Sequence, residues 1–242
     1  MGDILLKITL ANIFVSLISL VGLLFISVKE RYLNRITIYL VSFASGTLIG
    51  VAFLRMIPNS FKNNPKALYI VVLGILSFLV LEMFFYWRHC HDRECEVHSF
   101  AYLNLVGDAL HNFIDGMVIA GSFVSDPQLG LLTVFAIVAH EIPQELGDFG
   151  VLLHGGLNKW KALGLNFATA LFAVVGGWVG FVAIERIPII KFNLVPFAAG
   201  GFIYIALVDL IPELHKRFTP SRSFVQFLLV LAGIFIFVLI KH

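Results

Sequence analysis

Charge is what this chain has least of. Of its 242 residues 13% are Asp, Glu, Lys or Arg, against 59% hydrophobic, and the mean hydropathy is +0.94. A soluble domain carries about twice that charge, roughly 25%, so the composition excludes a soluble globular protein and indicates an integral membrane one. Cysteine is nearly missing as well: Cys90 and Cys95 are the only two, too few and too close for a disulfide framework. A net charge of +2 with no basic cluster leaves nothing that resembles a nucleic-acid-binding patch. The first apolar stretch is followed by charge and by no small-residue cleavage site, so a cleavable signal peptide is not expected.

The most informative absence is local. From Glu94 to Asn158 there is no Lys or Arg, although eight of the fifteen acidic residues lie there. A carboxylate near a bilayer centre costs at least ~2.5–3.5 kcal/mol unless it is paired or lines a polar cavity. Five of these acids fall inside apolar stretches, for an accumulated cost on the order of 10 kcal/mol. With no base nearby, a bound metal cation is the expected countercharge.

Spanning a bilayer takes about 20 apolar residues per helix. Eight stretches qualify: 4–28, 36–57, 67–87, 99–123, 129–153, 161–184, 195–213 and 223–240. The connections are short, so residues 1–242 are expected to form a single transmembrane domain, all-α, with eight transmembrane helices. Placing ten basic loop residues inside and six outside satisfies the positive-inside rule with both termini outside. A plasma membrane or bacterial inner membrane is the expected location.

Helix 2 aligned with helix 7 pairs FASGTLIGVAFLRMIPN (43–59) with FAAGGFIYIALVDLIPE (197–213). Phe43/Phe197, Ala44/Ala198, Gly46/Gly200, Ile49/Ile203, Ala52/Ala206, Ile57/Ile211 and Pro58/Pro212 are identical. The second and seventh of eight helices run in opposite senses, which predicts an inverted repeat relating helices 1–3 to 6–8. Transporters with such repeats place the substrate near the midplane.

On helix 4, Asp108, His111, Asn112 and Asp115 share one face at helical spacing. On helix 5, His140, Glu141, Gln144, Glu145 and Asp148 do the same. Opposed, the two faces can offer imidazole, carboxylate and amide oxygen to one divalent ion or to two sharing a carboxylate. That donor set suits Zn, Fe and Mn better than Cu(I). Glu145 and Asp148 are expected off the site, with Asp108 in a supporting position. Pro143 is expected to bend helix 5 and release the Ala139 carbonyl, while Gly116 and Gly147 would allow close helix approach. HEIPQ is not the HExxH box of a zinc protease, because its fifth position is Gln144 and Pro143 would interrupt the helix.

HNFIDG in helix 4 and HEIPQELGDF in helix 5 resemble the signature of the ZIP metal-ion transporters, particularly the LIV-1 branch. ALVDLIPEL of helix 7 and the FASGT…IP pattern of helix 2 fit as well. The resemblance implies an eight-helix fold, with central helices 4 and 5 forming the metal site. It implies movement of zinc above all, or iron, manganese or cadmium, toward the cytoplasm, with no enzymatic activity and no resident cofactor. Carried over by motif position, His111, Asp115, His140 and Gln144 line one metal site. Asn112 and Glu141 contribute to a second, with Asp115 able to bridge. The expected partners are divalent metal ions and the lipid bilayer, and a homodimer is compatible with the fold.

Two positions depart from the family pattern. Gln144 stands where relatives carry His or Glu, and a neutral amide is a weaker ligand. Arg55 and Asn59 stand where helix 2 often carries His and an acid. Asp209, the repeat partner of Arg55, is the expected salt-bridge mate. His89, Cys90, His91, Cys95 and His98, between helices 3 and 4, have the donors to collect metal. Asp209, Glu213 and His215 are candidates for an exit route. The competing reading is a membrane-embedded metal-dependent hydrolase using the same ligands to activate water.

Overall fold

A computed structural model describes residues 2–24, 30–62, 64–87, 97–215 and 220–240, and among these every regular element is helical. Helix α1 is Gly2–Ile18 with a 3-10 turn Ser19–Gly22. Helix α2 is Glu30–Val51, continuing through a π-helical segment Ala52–Met56 into Ile57–Phe61. Helix α3 is Ala67–Trp87, α4 is Val97–Ser125 and α5 is Pro127–His154. Helix α6 comprises Lys159–Ala170 and Phe172–Arg186. Helix α7 comprises Pro188–Tyr204, a π segment Ile205–Leu210 and Ile211–His215, and α8 is Pro220–Leu239. Six of these rods are long and apolar enough to cross a membrane. The apolar part of α3 is shorter, and α4, at 29 residues, has the length but carries Asp108, His111, Asn112 and Asp115 in its middle.

A single residue separates the two site helices. Asp126 is extended and its carboxylate accepts from the Leu129 N–H at 2.8 Å, while Pro127 opens α5. A carboxylate N-cap followed by proline is a strong helix start, because both deal with backbone donors that have no helical partner. The tight turn folds α5 back along α4. His111 lies fifteen residues before Asp126 and His140 fourteen after it, so at 1.5 Å per residue both sit roughly 21 Å from the turn. The local sequence of the turn thereby sets the two histidines level.

Helices α1, α4, α5 and α6 pack as one group; α8 packs along α2, and α7 along α3. Glycine permits the closest crossings. A Cβ on Gly116 would lie 1.9 Å from the Ala173 carbonyl oxygen, and one on Gly176 would lie 1.9 Å from that of Phe113. Backbones therefore touch where α4 crosses α6, directly beside Asp115. Gly46 and Gly233 make the same kind of crossing between α2 and α8, and Gly200 and Gly74 between α7 and α3. Gly147 corrects the sequence reading: it is exposed, and a Cβ there would meet nothing within 4 Å.

At Pro143 the expected interruption is absent. The proline is buried inside α5, which remains α-helical from Pro127 to His154, so the lost hydrogen bond does not interrupt the helix. Arg55 is 7% exposed, and its guanidinium donates to the carbonyls of Phe237 and Ile240 at the end of α8. There it meets the negative pole of a helix. The expected pairing with Asp209 is corrected, since Arg55 lines a cavity with Asp126 and Asp209 lines a different one with His111. Arg55 lies at the α4–α5 turn and Asp209 beside the middle of α4, which keeps the two charges apart.

Gly176→Val should cost about 3 kcal/mol of stability, since an added side chain meets backbone that cannot yield. Gly147→Ala should stay within about 0.5 kcal/mol. Thermal melts of the detergent-solubilised protein measure both.

Candidate metal centre

His111 and Asp115 project from α4, and His140 and Glu141 from α5, so that one ligand atom from each lies within 4.8 Å of all the others. His111 Nε2 is 3.3 Å from His140 Nε2 and 3.4 Å from Glu141 Oε1. His140 Nε2 is 3.2 Å from Asp115 Oδ2 and 3.6 Å from Glu141 Oε1, and His111 Nε2 is 3.8 Å from Asp115 Oδ2. Ligands of a tetrahedral zinc at ~2.0–2.1 Å stand about 3.3–3.4 Å from one another, close to most of these separations. Asp115, His140 and Glu141 are buried and His111 half-buried.

Which atoms carry lone pairs follows from the outer contacts. His140 Nδ1 donates to the Ala136 carbonyl at 3.1 Å, which leaves its Nε2 as the nitrogen that can ligate. Asp115 Oδ2 and Glu141 Oε1 are buried without a hydrogen-bond partner among the described residues. Once His111 Nε2 is free of its proton, four electron-pair donors converge on one point. Leaving a buried polar atom unsatisfied costs about 1–3 kcal/mol, more if it is charged. A cation between the four removes that cost.

Asn112 is buried beside the cluster. Its amide donates to Asp108 Oδ1 at 2.8 Å, and its own Oδ1 has no partner among the described residues. The Thr169 hydroxyl of α6 in turn donates to Asp108 Oδ2. A relay from α6 through Asp108 therefore orients the Asn112 carbonyl oxygen. Gln144 is half-buried one turn beyond His140 and contributes an amide in place of a charged or imidazole donor.

The remaining acids are met by neutral donors. Asn166 of α6 donates to Glu145, and Asn104 of α4 donates to Asp148 at 2.9 Å. Sequence reasoning had set Glu145 and Asp148 off the site but did not identify Thr169, Asn166 and Asn104 as their supports and that of Asp108. The available signal was Asn166 and Thr169 three apart in an apolar helix. His89, Cys90, His91 and Cys95 lie outside the described residues, as does the side chain of His98. Glu213 and His215 are exposed at the end of α7.

A multi-pass helical chain with a buried His and carboxylate cluster between two adjacent helices has the architecture of a membrane protein that handles metal ions. The family described as ZIP Zinc transporter matches residues 88–241. The chain is 37% identical over 219 residues to Zinc transporter ZIP13 of Pongo abelii, covering 83% of this chain and 65% of that protein. It is 32% identical over 259 residues to Zinc transporter ZIP13 of Homo sapiens, covering 83% and 69%. Zinc transporter zipt-7.2 of Caenorhabditis elegans is 38% identical over 144 residues, 58% of this chain and 31% of that protein. This chain belongs to the ZIP zinc transporter family, and it spans about two thirds of the length of the first of these relatives.

Thr169→Val should weaken zinc binding about tenfold, the scale on which outer-shell partners act. Isothermal titration of the purified protein, with a melt to confirm folding, measures it.

Proposed function

We propose that this chain carries divalent metal ions, zinc foremost, across a membrane toward the cytoplasm by alternating access. His111, Asp115, His140 and Glu141 hold the ion, and Asn112 and Gln144 complete the site or serve a second ion bridged by Asp115. The observation that carries this reading is the convergence of four ligand atoms within 4.8 Å, in helices with no Lys or Arg to neutralise them. Zinc is cargo here and not a resident cofactor. Imidazole and carboxylate bind it without thiolate, a donor set that also accepts iron or manganese.

Alternating access needs two packed units that can move against each other. The same alignment that pairs helices 2 and 7 supports an inverted repeat relating α1–α3 to α6–α8. Its two aligned helices both widen into π segments, Ala52–Met56 and Ile205–Leu210, at equivalent positions. Gly46, aligned with Gly200, crosses α8 at Gly233 as Gly200 crosses α3 at Gly74. Eight spans with both termini outside complete the reading, in a plasma or bacterial inner membrane and as one domain over residues 1–242. A homodimer is compatible with it. The family relationship speaks for transport, and nothing favours the hydrolase alternative.

Zinc uptake into proteoliposomes tests the proposal. Wild-type protein should load the vesicles, and His140→Ala should lower the initial rate at least about tenfold, the scale of an essential ligand. Folded, zinc-binding protein that moves no metal would sink the reading. Because imidazole must be deprotonated to ligate, uptake should fall as the pH is lowered, which rates measured across a pH series check. Gln144→His should raise preference for zinc over manganese, by about tenfold in a competition assay, since imidazole favours zinc and oxygen donors favour manganese.

A further inference from the structure

Between α3, α4 and α7 lies a cleft of about 230 Å³ whose walls include Phe78, Glu82, Leu110, His111, Tyr204 and Asp209. His111 belongs both to the cleft and to the four-residue cluster. Two cavities near the α4–α5 turn differ in lining and in charge. One holds Arg55, Lys62 and Asp126, and the other holds Lys191. Neither is lined by a cluster residue. Ser125, on the second of these, lies fourteen residues beyond His111 along α4, about 21 Å at 1.5 Å per residue. The charged residues therefore divide: bases predominate toward the turn, and among the described residues the cleft carries two carboxylates and no Lys or Arg. A cation held by His111 therefore has carboxylates beside it on the cleft side.

Glu82 stands on the wall of the cleft that α3 supplies. It is the only charged residue of Ala67–Trp87, and it is exposed. An ionisable side chain in a spanning helix is costly and marks a pathway more often than a support. Its carboxylate is held across the cleft by the hydroxyl of buried Tyr204. Tyr204 ends the α-helical part of α7, and the π segment that follows carries Asp209. Such a widened turn re-aims side chains and is frequent at functional sites. Asp209 lies within electrostatic reach of both Glu82 and His111.

We propose that Glu82 receives the metal ion as it leaves His111 through this cleft, with Asp209 facing it and Tyr204 holding its carboxylate in place. The proposal rests on the transport reading above. Glu82 does not bind the ion at the cluster; it sets how fast the ion departs. Because departure follows binding, slowing it lowers the maximal rate without raising the half-saturating zinc concentration.

Initial-rate zinc uptake into proteoliposomes, measured against zinc concentration, provides the test. Glu82→Gln keeps an acceptor for Tyr204 and removes the charge. It should lower the maximal rate at least threefold with no rise in half-saturation. Glu82→Asp should recover most of the rate, and Tyr204→Phe, which keeps the charge but loses the bond that positions it, should lose clearly less than Glu82→Gln. A wild-type rate for Glu82→Gln overturns the proposal. So does an equal loss in Glu82→Gln and Tyr204→Phe that Glu82→Asp does not recover, since the hydrogen bond would then matter and the charge would not. Should Glu82→Gln fail to fold, Leu110→Cys in a Cys90→Ser, Cys95→Ser background reports on the cleft directly. Zinc should slow its labelling by a membrane-impermeant maleimide at least threefold, and labelling that ignores zinc overturns the proposal. His140→Ala separates the two readings. If it leaves uptake intact, the cluster is not the site that transport uses and the reading on which Glu82 rests fails; if it stops uptake while Glu82→Gln is silent, Glu82 alone is wrong.

Discussion

Buried carboxylates without bases are the constraint on which the structure depends. Around the α4–α5 pair, Asp108, Asp115, Glu141 and Glu145 are buried and Asp148 is half-buried, and no Lys or Arg occurs between Glu94 and Asn158. The protein meets this in two ways. Asp108, Glu145 and Asp148 each accept from a hydroxyl or amide, supplied by Asn112, Thr169, Asn166 and Asn104. Asp115 and Glu141 are instead left with orphaned oxygens facing two imidazole nitrogens. One group of acids is satisfied internally, and the other is held ready for a cation. Neutral donors alone satisfy polarity without cancelling charge, which is why the second group matters for function.

The helical framework makes that arrangement reproducible. The Asp126 cap and Pro127 fix where α5 begins, and the single-residue connection levels His111 with His140. Gly116 and Gly176 then bring α6 into backbone contact with α4, close enough for Thr169 to reach Asp108. A larger residue at either glycine would push α6 away and break the relay that orients Asn112. Geometry at the cluster is thus inherited from a turn and a crossing, neither of which touches the ion.

Cavities divide the surroundings of the cluster by charge. Arg55, Lys62 and Lys191 lie toward the α4–α5 turn, whereas Glu82 and Asp209 lie on the cleft that reaches His111. The Arg55 guanidinium is engaged by the carbonyl end of α8, which ties α2 to α8 and moderates its field.

Much was legible in the one-dimensional pattern. Apolar length established a membrane chain, the base-free acidic stretch located the site, and helical spacing put His111 with Asp115 on one face of α4. His140 and Glu141 were legible because they share α5 with the same periodicity. Other features depended on packing. Whether a glycine makes a crossing depends on what faces it, so Gly116 and Gly147 looked alike in sequence and differ in space. Proline's effect depends on neighbours, and α5 continues through Pro143. Arg55 and Asp209 looked like partners because opposite charges occupied aligned positions, yet only the three-dimensional path of α2 and α7 decides that they sit in different cavities. Local chemistry and periodicity act over a few residues and can be read from the chain. Which of many acids keeps a free lone pair depends on donors brought from distant helices, and that is settled only when the helices pack.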